Sequence, residues 1–288
     1  MLAEVRNLSK KFGEVRALNN VSFTLRAGAI YGLFGRNGAG KTTLMSMLTA
    51  QSFPTSGTVR IFGVPPFENR QALRRTSFVR EGQKYPEEAS VNTLLRTGPL
   101  FYRDWDTQLA QELVERFELP PSRPLKKLSR GQLSAAGIVL GLSSRAELTF
   151  FDEPNLGLDA VARQVFYAAV AEDFAAHPRT VVISSHLIDE VAPIVEHVLL
   201  LNRGKLVVDM PTDQLSHSAY RLTGPGTLVA DFVGAGMQVL QQETLGGLSR
   251  VTVRADFTAE VAARARAVGL DAEAISLQEL SVLLGSQK

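Results

Sequence analysis

Residues 30–43 read IYGLFGRNGAGKTT, a strand-like apolar run followed by a glycine-rich turn and the start of a helical segment. Gly35 and Gly40 flank four residues, and Lys41 and Thr42 follow directly. In such a turn, backbone N–H groups face inward around a phosphate, and the helix N-terminus adds the positive end of its dipole. A plain glycine-rich turn before a buried helix does not account for the full spacing. The stretch therefore predicts a P-loop.

A P-loop holds the phosphates of a nucleotide through backbone amides and a few side chains. Lys41 is expected to bridge the β- and γ-phosphates, and the Thr42 hydroxyl is expected to bind Mg²⁺. The predicted nucleotide-binding residues of this stretch are Gly35, Asn37, Gly38, Ala39, Gly40, Lys41, Thr42 and Thr43.

A second apolar run, LTFFDE at residues 148–153, ends in two carboxylates. In an enzyme with a P-loop, Asp152 would hold Mg²⁺ through water, and Glu153 would polarise an attacking water. Taken alone, such a run is also compatible with a helix cap, so the catalytic interpretation depends on the P-loop. With the P-loop present, the sequence predicts Asp152 as a metal ligand and Glu153 as a catalytic residue.

A short polar motif, LSRGQ at residues 128–132, precedes this second run. Ser129 lies 152 − 129 = 23 residues before Asp152, at the start of the helical segment QLSAAGIVLGL. Ser129 and the Gly131 amide would form a second anion-binding helix start, with an ordinary N-cap as the alternative. The P-loop already holds the phosphates of its own nucleotide. The economical explanation is that the motif caps the γ-phosphate bound by a neighbouring copy.

Composition excludes several other kinds of site. The 288 residues include 31 Lys plus Arg, 29 Asp plus Glu, four His and no Cys. Disulfides and cysteine-based metal sites are therefore excluded, and the balanced charge argues against a nucleic-acid partner. The first residues lack the apolar stretch of a signal peptide. No window contains the run of about 18 to 20 consecutive apolar residues that is needed to cross a bilayer. We expect a soluble, cytoplasmic protein.

Hydrophobic patterns predict an α/β organisation for most of the chain. Strand-like runs occur at residues 4–13, 21–35 and 57–63, and the pattern is helical from Pro66 to about Leu142. Strands return at residues 148–153 and 180–186, with the helical segment 161–176 between them. Alternation of strands and helices predicts a parallel sheet with crossover helices.

The residues from Asp213 onward are predicted to form a small α+β appendage. TLVADFV (227–233) and SRVTVRADF (249–257) are expected to be strands, and residues 258–269 a helix. The stretch SHSAYRLTGPGT (216–227) is expected to be the linker. We expect this appendage to serve dimerisation or regulation.

The order of these motifs resembles that of the ATP-binding subunits of ABC (ATP-binding cassette) transporters, over about residues 2–211. The resemblance implies an α/β fold with a P-loop NTPase core, a parallel sheet, an antiparallel β part and a helical insert. It also implies hydrolysis of ATP coupled to transport, with ATP and Mg²⁺ as cofactors. The implied domains are residues 1–212, with the insert at about 86–142, and a small C-terminal α+β domain at 213–288.

Further site residues follow from the resemblance. Asn155–Asp159 (NLGLD) is similar to the D-loop of the family, and His186 resembles its switch histidine. Phe12 lies where the family places an aromatic ring against adenine. The alternatives are an ordinary apolar residue at a strand end for Phe12 and a structural histidine for His186. The resemblance assigns catalysis to Lys41, Glu153 and His186, and adds nucleotide contacts at Phe12, Ser129, Gly131, Gln132 and Asp159.

Three positions depart from the family pattern. Arg130 stands in LSRGQ where the family usually has glycine, and Asn155 stands where threonine is usual. The loop expected to carry a glutamine that senses Mg²⁺ and the membrane partner, here called the sensing loop, reads FVREGQKYP at residues 78–86. Counting back from the next helical segment places the expected position at Glu81 rather than Gln83. We therefore predict Glu81 as a metal residue together with Thr42 and Asp152.

The resemblance also implies partners. Two copies, or this chain and a paralogue, would enclose two ATP molecules, and a separately encoded transmembrane permease would dock on residues 85–102. No nucleic acid is expected as a partner. The expected location is the cytoplasmic face of the membrane, as a peripheral subunit. LSRGQ and DEPNLGLDAVARQVFY are similar to the ABC-2-like exporter branch, including acetoin-utilisation-type subunits.

Two other classes of function remain as alternatives. A soluble ABC ATPase of DNA repair would separate the P-loop from LSRGQ by a long coiled coil, but residues 42–128 hold no sustained heptads. Ribosome-associated members usually carry two cassettes in one chain, and this chain has one. A module that only binds nucleotide would not need Lys41, Asp152, Glu153 and His186 together.

Overall fold

The computed structural model describes residues 1–86, 88–234 and 236–286. It divides into two compact units: the first comprises Met1–His186 and Leu199–Asp209, and the second comprises Leu187–Val198 and the chain from Met210 onward. The second unit thus includes a segment that lies within the predicted first domain. The functional division at residue 212 stays a prediction.

The strands are β1 (Ala3–Phe12), β2 (Val15–Leu25), β3 (Ile30–Phe34), β4 (Ser56–Ile61), β5 (Thr76–Val79), β6 (Leu148–Asp152), β7 (Thr180–Ser185), β8 (His197–Asn202), β9 (Lys205–Pro211), β10 (Tyr220–Pro225), β11 (Gln238–Leu245), β12 (Leu248–Arg254) and β13 (Asp271–Ala274). The helices are α1 (Lys41–Leu48), α2 (Arg70–Arg74), α3 (Val91–Phe101), α4 (Thr107–Arg116), α5 (Arg130–Ser143), α6 (Ala160–Ala176), α7 (Ile188–Val191), α8 (Thr212–Ser216), α9 (Gly226–Val233), α10 (Ala259–Ala267) and α11 (Leu277–Ser286).

A six-stranded sheet with the order β5-β6-β7-β3-β8-β9 forms the centre of the first unit. Strands β5, β6, β7 and β3 are parallel. Every residue of β3, β6 and β7 is buried, as expected for strands covered on both faces. The α/β prediction is confirmed. The uninterrupted helical pattern predicted from Pro66 to Leu142 is wrong at β5, because a strand of four residues is too short to show a period.

An antiparallel sheet with the order β2-β1-β4 packs beside this core. Its inward side chains, including Val5, Leu8, Leu18 and Val59, join the same hydrophobic cluster as Leu44 of α1. This sheet is the antiparallel part that the family resemblance implies, and β1 ends at Phe12.

The helical insert is fixed to the core by a group of buried and partly buried charges. Asp106 caps α4 by accepting from the Leu109 N–H at 2.9 Å, and this bond, with Arg145, lowers the pKa of its carboxyl. Arg145 Nη2 lies 2.7 Å from Asp106 Oδ2 and also pairs with Asp173 of α6, which pairs in turn with Arg179. Burial is the largest influence on the pKa of Arg179, and it lowers that pKa. This network links α4 to α6 and to the segment before β7.

The second unit contains a four-stranded antiparallel sheet with the order β11-β12-β10-β13. The chain order β10-α9-β11-β12-α10-β13 is the split βαβ arrangement of ferredoxin-like folds. Its core contains Tyr220, Leu222, Val251 and Val253. The expected α+β class of the tail is therefore confirmed.

Two predictions within the tail are wrong. TLVADFV is helix α9 rather than a strand, and its core-facing residues Val229, Phe232 and Val233 show the three-and-four spacing of a helix. The expected linker at 216–227 contains β10, a central strand whose Tyr220 and Leu222 are fully buried. Its alternation of buried and partly exposed residues is the pattern of a strand with one core face.

Among the described residues, no helix has the length and hydrophobicity needed to cross a membrane.

Candidate nucleotide-binding and hydrolysis site

The candidate site lies where three parallel strands end side by side. Phe34 at the end of β3 pairs with Ser185 at the end of β7, and Asp152 at the end of β6 pairs with Ser184. The next residues in the chain therefore emerge at one edge of the sheet. They are the P-loop from Gly35, the carboxylate of Glu153 and the imidazole of His186.

The P-loop is held in shape by glycines at positive φ. Gly35 has φ +144° and Gly40 has φ +108°. A Cβ at residue 35 would overlap the carbonyl oxygen of Leu201, and one at residue 40 would lie 2.6 Å from the carbonyl oxygen of Ala17. Helix α1 begins at Lys41 without a side-chain cap, which leaves its first amides available to an anion.

Lys41 is the buried cation of the site. Its Nζ donates to the carbonyl oxygen of Gly35 at 2.8 Å and lies 3.1 Å from Glu153 Oε1. Both side chains are less than one tenth exposed. Such a pair is sensitive to the loss of either partner, because the remaining charge stays buried and uncompensated.

Glu153 is held on both sides and through its backbone. His186 Nδ1 lies 2.8 Å from Glu153 Oε2, and the Glu153 N–H donates to Ser184 Oγ at 2.9 Å. The φ of Glu153 is +48°, in the left-handed region, which costs a side-chain-bearing residue about 1–2 kcal/mol. Backbone strain of this kind persists where the surroundings fix the residue, and it is frequent at active sites.

Asp152 has the surroundings of a metal ligand. Its carboxylate accepts from Ser184 Oγ at 2.8 Å and from the hydroxyl of Thr42. Burial is the largest influence on this carboxyl and raises its pKa. A hard cation would compensate a buried carboxylate, and a carboxylate beside a hydroxyl is an oxygen donor set that suits Mg²⁺.

No cluster of three or more His, Cys, Asp or Glu suited to a metal occurs in the described part of the chain. Mg²⁺ does not need one, since it is usually bound by one or two protein oxygens together with substrate phosphates and water. The Thr42 and Asp152 pair therefore fits the predicted cation.

The LSRGQ motif starts α5 as predicted. Ser129 Oγ accepts from the Gln132 N–H at 3.1 Å, and Gln132 Oε1 accepts from the Ser129 N–H at 3.1 Å, which is a capping box. The N-cap that the sequence left as an alternative is thus present. Within the single chain, the Ser129 and Gln132 side chains are occupied in holding the helix start.

Gly131 lies against the D-loop. A Cβ at this position would overlap the carbonyl oxygen of Gly157, so the close approach of the two segments requires glycine. Ser134 of α5 reinforces the contact, because its hydroxyl donates to the carbonyl oxygen of Leu156 at 2.8 Å.

Replacement of Gly131 by alanine is expected to destabilise the chain by about 1–3 kcal/mol, because the added methyl group must push the D-loop away. Urea unfolding measures this change, and release of phosphate from ATP is expected to fall with it. Gly285→Ala is the matched control, since a Cβ there meets no atom within 4 Å. Equal unfolding midpoints for the Gly131→Ala variant and the wild type would contradict the steric argument.

The remaining predicted residues lie in local contacts of their own rather than against Lys41, Asp152 or Glu153. Asp159 caps α6 by accepting from the Ala162 N–H at 2.8 Å. Asn155, at the position where threonine is usual, is buried with Nδ2 3.5 Å from Ser185 Oγ. Phe12 is 53% exposed at the end of β1, with Lys10 Nζ 4.7 Å from its ring centroid, so it is not a core residue.

The sensing loop lines a cavity next to the carboxylates. Glu81, Gln83 and Tyr85 line it together with Asp152 and Glu153. Burial raises the pKa of Tyr85 to about 12. Arg130 Nη2 lies 2.5 Å from Glu81 Oε1, whereas Gln83 Oε1 accepts from the Arg80 N–H at 3.4 Å. Either loop residue borders the site, and the choice of Glu81 stays a prediction.

Sequence reasoning missed Ser184, which binds both Asp152 and the backbone of Glu153. The available signal was a polar pair, Ser184 and Ser185, at the end of the apolar run TVVI. Both serines are fully buried, which is uncommon for hydroxyl groups unless they are hydrogen-bonded.

Comparison with known proteins agrees with this arrangement. Residues 18–156 match the ABC transporter family. The bacitracin transport ATP-binding protein BcrA of Enterococcus faecalis is 31% identical over 219 residues, which cover 74% of this chain and 70% of BcrA. This chain belongs to the ABC transporter ATP-binding proteins.

Two further comparisons extend this result to a second relative and to the fold. The Nod factor export ATP-binding protein I of Burkholderia lata is 29% identical to the cassette, over 72% of this chain and 69% of that protein. A solved structure of an ATP-binding subunit of an ABC transporter superposes with a TM-score of 0.68 at 24% identity, covering 75% of this chain and 92% of that one. The resemblance inferred from motif order is confirmed at the level of the family, and the P-loop fold is confirmed as well.

Proposed function

We propose that this cassette hydrolyses Mg-ATP to drive a membrane exporter of the ABC-2-like branch, with acetoin-utilisation-type relatives. The observation that carries the proposal is the position of Glu153, between buried Lys41 at 3.1 Å and His186 at 2.8 Å. This position supports a role for Glu153 as the group that takes the proton of an attacking water.

The site residues divide the reaction between them. The oxygen of a water molecule attacks the γ-phosphorus while Glu153 accepts a proton from that water. The bond between the γ-phosphorus and the β–γ bridging oxygen breaks, and that oxygen leaves with ADP. His186, on Oε2 of the same carboxylate, orients Glu153 and the γ-phosphate, while Lys41 and the P-loop amides hold the phosphates. Thr42 and Asp152 would hold Mg²⁺, which neutralises phosphate charge.

A second ATP-binding subunit would complete each site. Ser129 and Gly131 lie at the N-terminus of α5, and the first amides of a helix of 14 residues attract an anion. In the proposed complex these groups contact the γ-phosphate bound by the partner, and Asp159 approaches the same nucleotide. Phe12 stacks on the base. Hydrolysis removes the γ-phosphate contact and reopens the pair of subunits.

The permease is proposed to dock beside α2 and α3. Leu100 and Phe101 at the end of α3 are 75% and 69% exposed, and Phe101 and Tyr102 line an open groove with Leu73. Tyr85, at the start of the predicted docking segment, lines the sensing-loop cavity instead. We therefore propose that the permease contacts Leu73 and the residues around 100–102, rather than the whole predicted segment 85–102.

Export is supported by relatives. The Burkholderia protein is named for Nod factor export and BcrA for bacitracin transport, and those activities belong to those proteins. We place this cassette on the cytoplasmic face of the membrane as a peripheral subunit. Residues 1–212 would carry the ATP chemistry and residues 213–288 would form an accessory domain.

Release of phosphate from Mg-ATP by the purified chain tests the proposal. Because a second copy completes each site, specific activity is expected to rise with protein concentration and to vanish when EDTA removes the cation. No phosphate release at any concentration would contradict the enzymatic assignment. A specific activity independent of concentration would contradict the shared site.

A further inference from the structure

Two departures from the family pattern, far apart in the sequence, are in contact. Arg130 replaces the usual glycine of LSRGQ, and Glu81 stands at the predicted glutamine position of the sensing loop. Arg130 Nη2 lies 2.5 Å from Glu81 Oε1. The two changes introduce opposite charges that meet, so they form one feature of the molecule.

The rest of the sensing loop is also attached to α5. The Tyr85 hydroxyl reaches within 3.5 Å of where a Cβ of Gly137 would lie, and Val79 packs even closer to the same glycine. Gly141, one turn further, accommodates Val79 and Phe151. The loop therefore contacts the helix at both of its ends, and the ion pair attaches its middle to the first residue of α5.

Stability does not explain the ion pair. The side chains of Arg130 and Glu81 are 67% and 44% exposed, and exposed pairs contribute little to the free energy of unfolding. The pair lies instead at the rim of the cavity that Asp152 and Glu153 line. Its position points to an effect on charge at the site.

We propose that Arg130 is a positioning residue that competes with Mg²⁺ for the carboxylate of Glu81. The inference rests on the proposed function and adds to it a regulation of metal binding at the same site. While Arg130 holds Glu81, the negative charge of the loop is neutralised and the carboxylate is directed at the helix start. Separation of the pair frees Glu81 for the cation that Thr42 and Asp152 bind. Loading of the metal is thereby linked to the position of α5.

A double-mutant cycle tests the competition in the full chain. The four proteins are wild type, Arg130→Gly, Glu81→Gln and the double variant. Arg130→Gly restores the usual family residue, and Glu81→Gln restores the family glutamine if Glu81 stands at its position, as predicted. Binding of a fluorescent ATP analogue is titrated with Mg²⁺, and ATP hydrolysis is titrated in parallel. Arg130→Gly is expected to lower the Mg²⁺ concentration for half-saturation about twofold to fivefold, the range of an exposed ion pair.

In the Glu81→Gln background, Arg130→Gly is expected to leave the Mg²⁺ requirement unchanged, because the carboxylate it competes for is gone. The difference between backgrounds is expected to shrink in 0.5 M salt, where the Debye length falls to about 4 Å. Arg75→Gly supplies the control, since Arg75 Nε lies 2.5 Å from Glu147 Oε1 in an exposed pair outside the site. It is expected to leave the Mg²⁺ requirement unchanged.

Each other outcome overturns the proposal. An equal shift by Arg130→Gly in both backgrounds would assign the effect to the charge of Arg130 alone. An absent shift in both would reduce the pair to a surface contact. A wild-type protein that binds no nucleotide contradicts the proposed function. If the wild type binds nucleotide but the effects of the two substitutions on the Mg²⁺ requirement are additive, only the proposed competition is contradicted.

Discussion

Replacing Glu153 by glutamine is expected to lower ATP turnover by about 10²–10⁴-fold while nucleotide binding is retained. Glutamine keeps the length of the side chain and the backbone conformation at φ +48°, and its amide oxygen can still face Lys41. It cannot take a proton from water. Complexes of two subunits closed around ATP are therefore expected to accumulate, because the contact that hydrolysis removes persists.

Phosphate release and the mass of the complex, measured at saturating Mg-ATP, check this prediction together. Glu115→Gln provides the control, since Glu115 is exposed on α4 away from the site. Normal turnover in Glu153→Gln would refute the assignment of Glu153. Loss of nucleotide binding would indicate that the carboxylate has a structural role.

Lys41→Ala is expected to abolish ATP binding and to destabilise the fold by about 3 kcal/mol. The second effect arises because Glu153, buried as deeply as Lys41, loses the compensating ammonium 3.1 Å away. The double variant Lys41→Ala, Glu153→Gln is expected to recover much of this stability, since no buried charge is then left without a partner. It is not expected to recover ATP binding.

Urea unfolding of the single and double variants measures the coupling between the two side chains. Lys205→Ala, at an exposed position of β9, is the control and is expected to unfold like the wild type. If Lys41→Ala destabilises equally in the presence and absence of the Glu153 carboxylate, the buried ion pair does not account for the loss.

The core of the site was predictable because its parts are local or follow from the parallel sheet. The P-loop is encoded within nine residues, and its glycines are needed by a backbone that turns at positive φ. Asp152 and His186 follow apolar runs, and parallel strands bring the ends of such runs to one edge. The chemistry therefore followed from residue order and strand polarity.

The contacts between side chains distant in sequence were not predictable in the same way. Arg130 and Glu81 were each recognised as departures, but only the fold shows that α5 carries Arg130 to the sensing loop. Similarly, the hydroxyl of Ser184 becomes informative once β6 lies beside β7. In the tail, α9 was mistaken for a strand because a short apolar run fits both periods.

The exposed ring of Phe12 has a consequence for the choice of nucleotide. On its proposed role, one face of the ring meets the base, while Lys10 Nζ lies 4.7 Å from the ring centroid. Stacking of this kind accepts any base, since every base has a π-face, and it reads none of the base edges. The P-loop contacts are likewise made to phosphates. Discrimination between ATP and GTP is therefore expected to be weak, and the cellular abundance of each nucleotide would then decide which one drives the cycle.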